Sequence, residues 1–175
     1  IISFYVFSTE NWKRPETEIN YLFNLINIYF TKEINNIIKN KIKIIITGRL
    51  KSLPTKIRKV LKIVTNRTKK NNKIVVNLAI NYGSKNEIID AFKKINYNSQ
   101  KITEETINKN LYSNLVYPDI LVRTGGHKRL SNFLLWQISY TEIFFLDKLW
   151  PDFKKSDLKK IITKYHKIKR NFGGI

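Results

Sequence analysis

Arg123, Thr124, Gly125 and Gly126, with Arg129, Ser131 and Asn132 close behind, bring two guanidinium forks, two hydroxyls and an amide into one short stretch. Forked donors beside neutral ones suit a phosphate or diphosphate better than a monocarboxylate. The two glycines are free to adopt positive φ, and a turn of that kind can aim successive backbone N–H groups at one anion. A plainer reading has the arginines pairing with surface carboxylates. Glu142 is the only carboxylate between Asp119 and Asp147. On a divalent cation it could bridge phosphates, whereas a lone Glu before a strand is more often a surface residue. A second group of the same character, Ser8-Thr9-Glu10-Asn11-Trp12-Lys13-Arg14-Pro15, puts an arginine, an amide and hydroxyls behind another apolar run.

Other chemistries lack their residues. The chain has no cysteine, so it can form no disulfide and no thiolate metal site. Neither His127 nor His166 has a carboxylate and a nucleophile at telling spacing, and both read as structural or exposed. There is no Walker-type loop and no GxGxxG, which leaves nucleotide hydrolysis and dinucleotide binding unsupported. The net charge of +20 could favour a polyanion. Its lysines, however, are scattered and accompany heavy use of Ile and Asn, the bias of an A+T-rich coding sequence. The chain holds no methionine and opens in what looks like mid-strand, so an amino-terminal part is expected to be missing.

These groups must be held by alternating strands and helices. Apolar runs at Ile1–Phe7, Lys43–Ile46, Ile74–Ile80, Ile120–Val122 and Ile143–Leu146 predict strands. Helical spacing follows Pro15, Pro54, Ser84 and Thr103, and Ser156 is expected to cap a last helix with Leu158, Ile161, Ile162, Tyr165 and Ile168 inward. The pattern is that of an α/β single domain, 1–175, with a mainly parallel β-sheet flanked by helices. Anionic ligands are then expected at the carboxyl ends of the strands. In the helix after Pro15, Ile19, Leu22, Phe23, Ile26 and Phe30 form one stripe, and Tyr21, Leu25, Ile28 and Tyr29 widen it. Such a helix either packs on two sides or turns one side to an apolar ligand.

FSTENWKRP (Phe7 to Pro15), NLAINYGS (Asn77 to Ser84), RTGGHKRLSNFLLWQ (Arg123 to Gln137), YTEIFF (Tyr140 to Phe145), LWPDF (Leu149 to Phe153) and the RNFGG end resemble the cis-prenyltransferases, specifically the undecaprenyl diphosphate synthases. The resemblance runs over essentially the whole chain, with the motifs in family order. It implies an undecaprenyl diphosphate synthase-like fold and head-to-tail addition of isopentenyl diphosphate to an allylic diphosphate such as farnesyl diphosphate, with Mg²⁺. By residue, it implies that Arg123, Arg129 and Ser131, with Asn132, hold the isopentenyl diphosphate and that Glu142 helps place the metal. Asn11 and Arg14 would lie at the allylic diphosphate and reacting centre, with Asn11 catalytic, Trp12 in the substrate site and Glu18 beside them. Leu22, Leu25, Ile26 and Tyr29 would line a tunnel for the growing chain. It further implies a cytoplasmic homodimer making a cell-wall lipid carrier, associated peripherally with the membrane through its product, with no specific nucleic acid.

Three departures qualify that expectation. The family's Asp-Gly-Asn-Gly-Arg-Trp motif, with its Mg²⁺-binding aspartate, is absent from these residues, so the chain alone is expected to be inactive. Lys128 stands where the family has histidine, so no imidazole role passes to His127. Tyr29 holds a position often small in long-chain enzymes. A non-catalytic subunit of a heteromeric synthase and a basic nucleic-acid-binding domain remain as rival readings.

Overall fold

The computed structural model describes residues 1–171, so the RNFGG end from Phe172 onward lies outside the described residues. The chain packs as two compact units, Ile1–Asn114 and Leu115–Ile175.

In the first unit, β3 (Ile74–Tyr82) lies between β1 (Ile2–Ser8) and β2 (Ile42–Thr47). Both pairings are parallel, running from Ile2↔Val76 to Ser8↔Tyr82 and from Ile42↔Ile74 to Thr47↔Ala79. The β-branched content of these runs suits a sheet buried on both faces. Parallel pairing gathers the carboxyl ends Ser8, Thr47 and Tyr82 at one edge, where the loops that could bind a ligand begin. Helices α1 (Glu16–Lys39), α2 (Thr55–Thr68), α3 (Ser84–Tyr97) and α4 (Glu104–Asn110) complete the unit. Thr103 caps α4, its hydroxyl accepting from the Thr106 N–H at 3.1 Å.

The core joins α1, α2 and the sheet. Phe7, Phe23, Phe30, Ile44, Leu61, Val64 and Ile80 are all buried in it. Each such side chain stabilises the fold by about 1.5–3 kcal/mol relative to exposure. Helix α1 buries the single stripe Ile19, Phe23, Ile26, Phe30, Ile34 and Ile37. Its other apolar side chains are exposed, Tyr21 at 65% and Tyr29 at 59%, so packing on two sides is overturned. One stripe of 3.6-residue period already covers the sheet face. On α3, Phe92 likewise falls outside the buried stripe, at 38% exposure, while Ala91 and Ile95 are fully buried.

A polar network closes this unit. The Arg49 guanidinium donates through Nε and Nη2 to the two Asp90 oxygens, each at 2.8 Å, and the Tyr112 hydroxyl donates to Asp90 Oδ2 at 2.5 Å. Buried Glu87 accepts from the Tyr82 hydroxyl and from the Tyr112 N–H. The Arg49 hydrogen bonds hold the Asp90 carboxyl below its ordinary value of 3.8. A depressed carboxylate contributes stability that is present above its unfolded pKa and lost as pH falls through the folded one. Asp90→Asn should therefore cost about 1–2 kcal/mol at neutral pH, allowing for the partial exposure of the pair. The deficit should shrink as pH falls below the unfolded carboxylate pKa of about 3.9 and vanish only beneath the lower, folded one. Urea midpoints measured across pH check this; a deficit independent of pH would contradict it.

The second unit pairs β4 (Ile120–Arg123) with β5 (Glu142–Phe145) in parallel, from Ile120↔Glu142 to Arg123↔Phe145. The residues between them form turns rather than helix. Trp150 and Phe153, in the LWPDF stretch, stack with ring centroids 5.6 Å apart. Helix α5 spans Lys155–Tyr165. Ser156 lies inside it and does not cap it; the Asp157 carboxylate takes the Lys154 N–H at 2.8 Å instead. Only Ile161 of the expected inward set is buried, with Leu158, Ile162 and Ile168 near 40% exposed. Among the described residues no helix is long and apolar enough to cross a membrane.

Candidate diphosphate sites

In the first unit the chain leaves β1 into a 3-10 turn, Thr9–Lys13. Asn11 anchors it: its Oδ1 accepts the Ser8 N–H at 2.8 Å, and its carbonyl accepts the Arg14 N–H at 3.0 Å. Trp12 packs edge-on against Phe7 at 5.2 Å and against Phe23 at 5.7 Å. Arg14 donates through Nη1 to Glu18 at 2.6 Å, with both side chains 52% exposed. An exposed pair one helical turn apart is worth only a few tenths of a kcal/mol, so a diphosphate could displace Glu18 at little cost.

The residue that ties this loop to the sheet is Asn81, which motif reading did not single out. It is 3% exposed and has φ of +52°, a conformation Asn tolerates better than most residues. Its Oδ1 accepts the Trp12 indole N–H at 2.8 Å, and its Nδ2 donates to the Arg49 carbonyl at 2.7 Å and to Ser52 Oγ at 2.8 Å. One amide thus joins three loops at the carboxyl edge of the sheet. The available signal was an Asn-Tyr-Gly strand end, a composition that favours left-handed backbone. Asn81→Ala would leave the Trp12 indole and the Arg49 carbonyl short of a partner, at a cost of about 1–3 kcal/mol. Urea midpoints would show it; an unchanged midpoint would remove Asn81 from the scaffold.

In the second unit, Arg123 ends β4 and donates through Nη1 to Ser131 Oγ at 2.8 Å. The structure thus brings together two of the expected ligand residues. Asn132 follows at φ +62°, and Ser131 itself has φ +50°. Left-handed backbone at a non-glycine residue costs energy and is concentrated at ligand clamps. Arg129 is exposed and has no ion pair to another described residue. Gly125 and Gly126 do take positive φ, +87° and +75°. Their N–H groups, however, donate to the carbonyls of Lys148 and Leu146 at 2.8 and 2.9 Å. The expected nest is therefore absent: the glycines stitch the turn to the segment after β5, and side chains must do the anion binding.

Glu142 stands apart from that cluster. It begins β5 opposite Ile120, three register steps from Arg123, or about 10 Å along the strands. Arg170 approaches it at 3.9 Å and also reaches the Tyr140 carbonyl at 2.6 Å and Asp119 at 3.3 Å. No group of three or more His, Cys, Asp or Glu that could hold a metal occurs among the described residues. Glu142 alone could offer a divalent cation one carboxylate, leaving the rest of the shell to substrate oxygens and water.

The four expected tunnel positions divide. Ile26 is buried and Leu22 packs against the core, while Leu25 and Tyr29 are 43% and 59% exposed. None of the four lines the cleft of about 190 Å³ between α1 and α2, which is bounded by Phe30, Thr31, Ile34, Val60, Ile63, Val64 and Arg67.

The family model described as "Putative undecaprenyl diphosphate synthase" matches residues 1–173. An isoprenyl transferase of Fusobacterium nucleatum is 43% identical over 99% of this chain and 76% of its own length. One from Rickettsia sibirica is 44% identical over 98% and 77%. Among solved structures, a probable undecaprenyl diphosphate synthase from Campylobacter jejuni superposes with a TM-score of 0.92 at 40% identity, covering 98% of this chain and 82% of that one. Lavandulyl diphosphate synthase from Lavandula x intermedia, in complex with dimethylallyl diphosphate, gives 0.91 at 27% identity, covering 98% and 78%.

Proposed function

The chain belongs to the undecaprenyl diphosphate synthase family and is a cis-prenyltransferase that elongates prenyl chains, and from that premise we propose that its two loops bind the two diphosphates of the reaction. In this reading Arg123, Arg129, Ser131 and Asn132 hold isopentenyl diphosphate, and Asn11, Trp12 and Arg14 hold an allylic primer such as farnesyl diphosphate. The allylic C–O bond breaks with its electron pair leaving on diphosphate. The isopentenyl double bond supplies the new C–C bond, and loss of a proton restores an alkene. Arg14 is suited to neutralise the leaving diphosphate once Glu18 yields it. Mg²⁺, with Glu142 as its protein ligand, would supply positive charge to the phosphate oxygens.

The Arg123–Ser131 bond of 2.8 Å, with the exposed Arg129 two residues before Ser131 in the chain, is the observation that supports this reading best. A guanidinium fixed by a hydroxyl, with a second exposed arginine in the same loop, suits the several oxygens of one diphosphate. Titration calorimetry with isopentenyl diphosphate tests it. Arg129→Ala should weaken binding about tenfold or more, as for the loss of one charged hydrogen bond. Equal affinity of the two proteins would sink the assignment.

Catalysis at the cytoplasmic face of a membrane and assembly as a homodimer complete the proposal. Exposed Ile143, Phe145, Leu149 and Trp150 in the second unit support contact with a second copy.

A further inference from the structure

Between Glu33 and Glu87 the chain carries fourteen lysines and arginines and no carboxylate. The fold gathers a subset of them. Helices α1 and α2 both begin at the carboxyl edge of the first sheet and run back to its amino edge. The Lys73 N–H donates to the Lys41 carbonyl at 3.0 Å, which joins the turn after α2 to the turn after α1. Lys39, Lys41, Lys69, Lys70 and Lys73, all exposed, therefore crowd one edge. Two apolar side chains of the same segments are exposed as well: Ile74 at 40% begins β3, and Ile63 at 55% borders the cleft between α1 and α2.

We propose that this amino edge of the sheet, with the rim of the α1–α2 cleft, docks on the face of an anionic phospholipid bilayer. Exposed lysines with exposed isoleucines among them have the composition of an interfacial surface, the cations meeting headgroup phosphates and the isoleucines entering the acyl boundary. Lysine acts as a point charge and suits a fluid array of headgroups that offers no fixed bidentate geometry. A duplex-binding face would need donors aimed at bases or exposed aromatics, and the apolar residues here are aliphatic. The inference rests on the proposed function only for its purpose, since a polyprenyl product must pass into a membrane. The docking itself involves no substrate.

Co-sedimentation of the full chain with vesicles, without substrates, tests it. Binding is expected to vesicles of equal parts phosphatidylglycerol and phosphatidylcholine and not to phosphatidylcholine alone, and it should weaken with salt. Lys69→Glu with Lys70→Glu should lower the partition coefficient more than about 25-fold, at roughly fivefold per cation removed. Ile63→Ser should lower it a further fewfold. The control is Lys159→Glu with Lys164→Glu on α5, which changes the net charge equally and should cost much less. Equal losses from both pairs would overturn the proposal, because the net field rather than this edge would then be responsible. Equal or tighter binding of duplex DNA, abolished by the same edge substitutions, would overturn it in favour of nucleic acid. A dimer that dissociates on those substitutions while vesicle binding stays unchanged would put a second copy there instead. Failure of chain elongation leaves all of these outcomes readable.

Discussion

With the chain joined to an upstream segment carrying the Asp-Gly-Asn-Gly-Arg-Trp motif, Arg123→Ala is expected to lower kcat/KM for isopentenyl diphosphate roughly thirtyfold to several hundredfold, or about 2–4 kcal/mol. The size follows from what one side chain does. Its guanidinium is the end of a parallel strand, so its backbone is fixed, and its Nη1 bond of 2.8 Å to Ser131 sets the direction of the remaining N–H groups. Alanine removes the fork together with its hydrogen bond to the Ser131 hydroxyl. Arg123→Lys should recover only part of the loss, because an ammonium keeps the charge but not the two-pronged geometry. Stability should hardly change in either variant, since the bond is exposed. Steady-state kinetics with a parallel thermal melt separates the two effects. Unchanged kcat and KM would remove Arg123 from the site.

Gly48→Ala should destabilise the chain by about 3 kcal/mol or more. Gly48 follows β2 with φ of +133°, and a Cβ there would lie 2.0 Å from the Ile80 carbonyl oxygen and 3.0 Å from that of Asn81. Both neighbours are backbone atoms of the buried central strand, so nothing can rotate aside. The displacement would fall on Asn81 and, through it, on the Trp12 loop, which ties this position to the allylic half of the reaction. Gly126→Ala provides the contrast: φ is +75°, but the nearest atom to an added Cβ is 3.6 Å away. Its cost should be about 1 kcal/mol, the conformational part alone. Urea unfolding ranks the two, and a Gly48→Ala midpoint equal to the parent's would contradict the close approach.

Much of this was legible in the residues. The helix expected after Pro15 begins at Glu16, and the parallel strands fall within a residue or two of their apolar runs. Strong periodicity fixes such elements, and the ends drift because caps decide them. The last helix shows how: Ser156 has the right chemistry for a cap, yet Asp157 lies where its carboxylate meets the Lys154 N–H and also pairs with Lys148 at 2.8 Å. The residue types of the site were legible because few side chains bind diphosphate. Their partners were not. Whether glycine N–H groups face an anion or a neighbouring loop depends on contacts twenty residues away, here with Leu146 and Lys148. The end of β5 on which Glu142 falls is set by strand register, and the buried role of Asn81 by a left-handed backbone. Neither leaves a periodic trace.

The most direct test of the account is chain elongation. The chain, joined to an upstream segment carrying the family's Asp-Gly-Asn-Gly-Arg-Trp motif, would be incubated with radiolabelled isopentenyl diphosphate, farnesyl diphosphate and Mg²⁺. Labelled prenyl diphosphates longer than farnesyl, lost in Arg123→Ala, are predicted. No label beyond the starting material, from a protein that is folded by circular dichroism, would contradict the account.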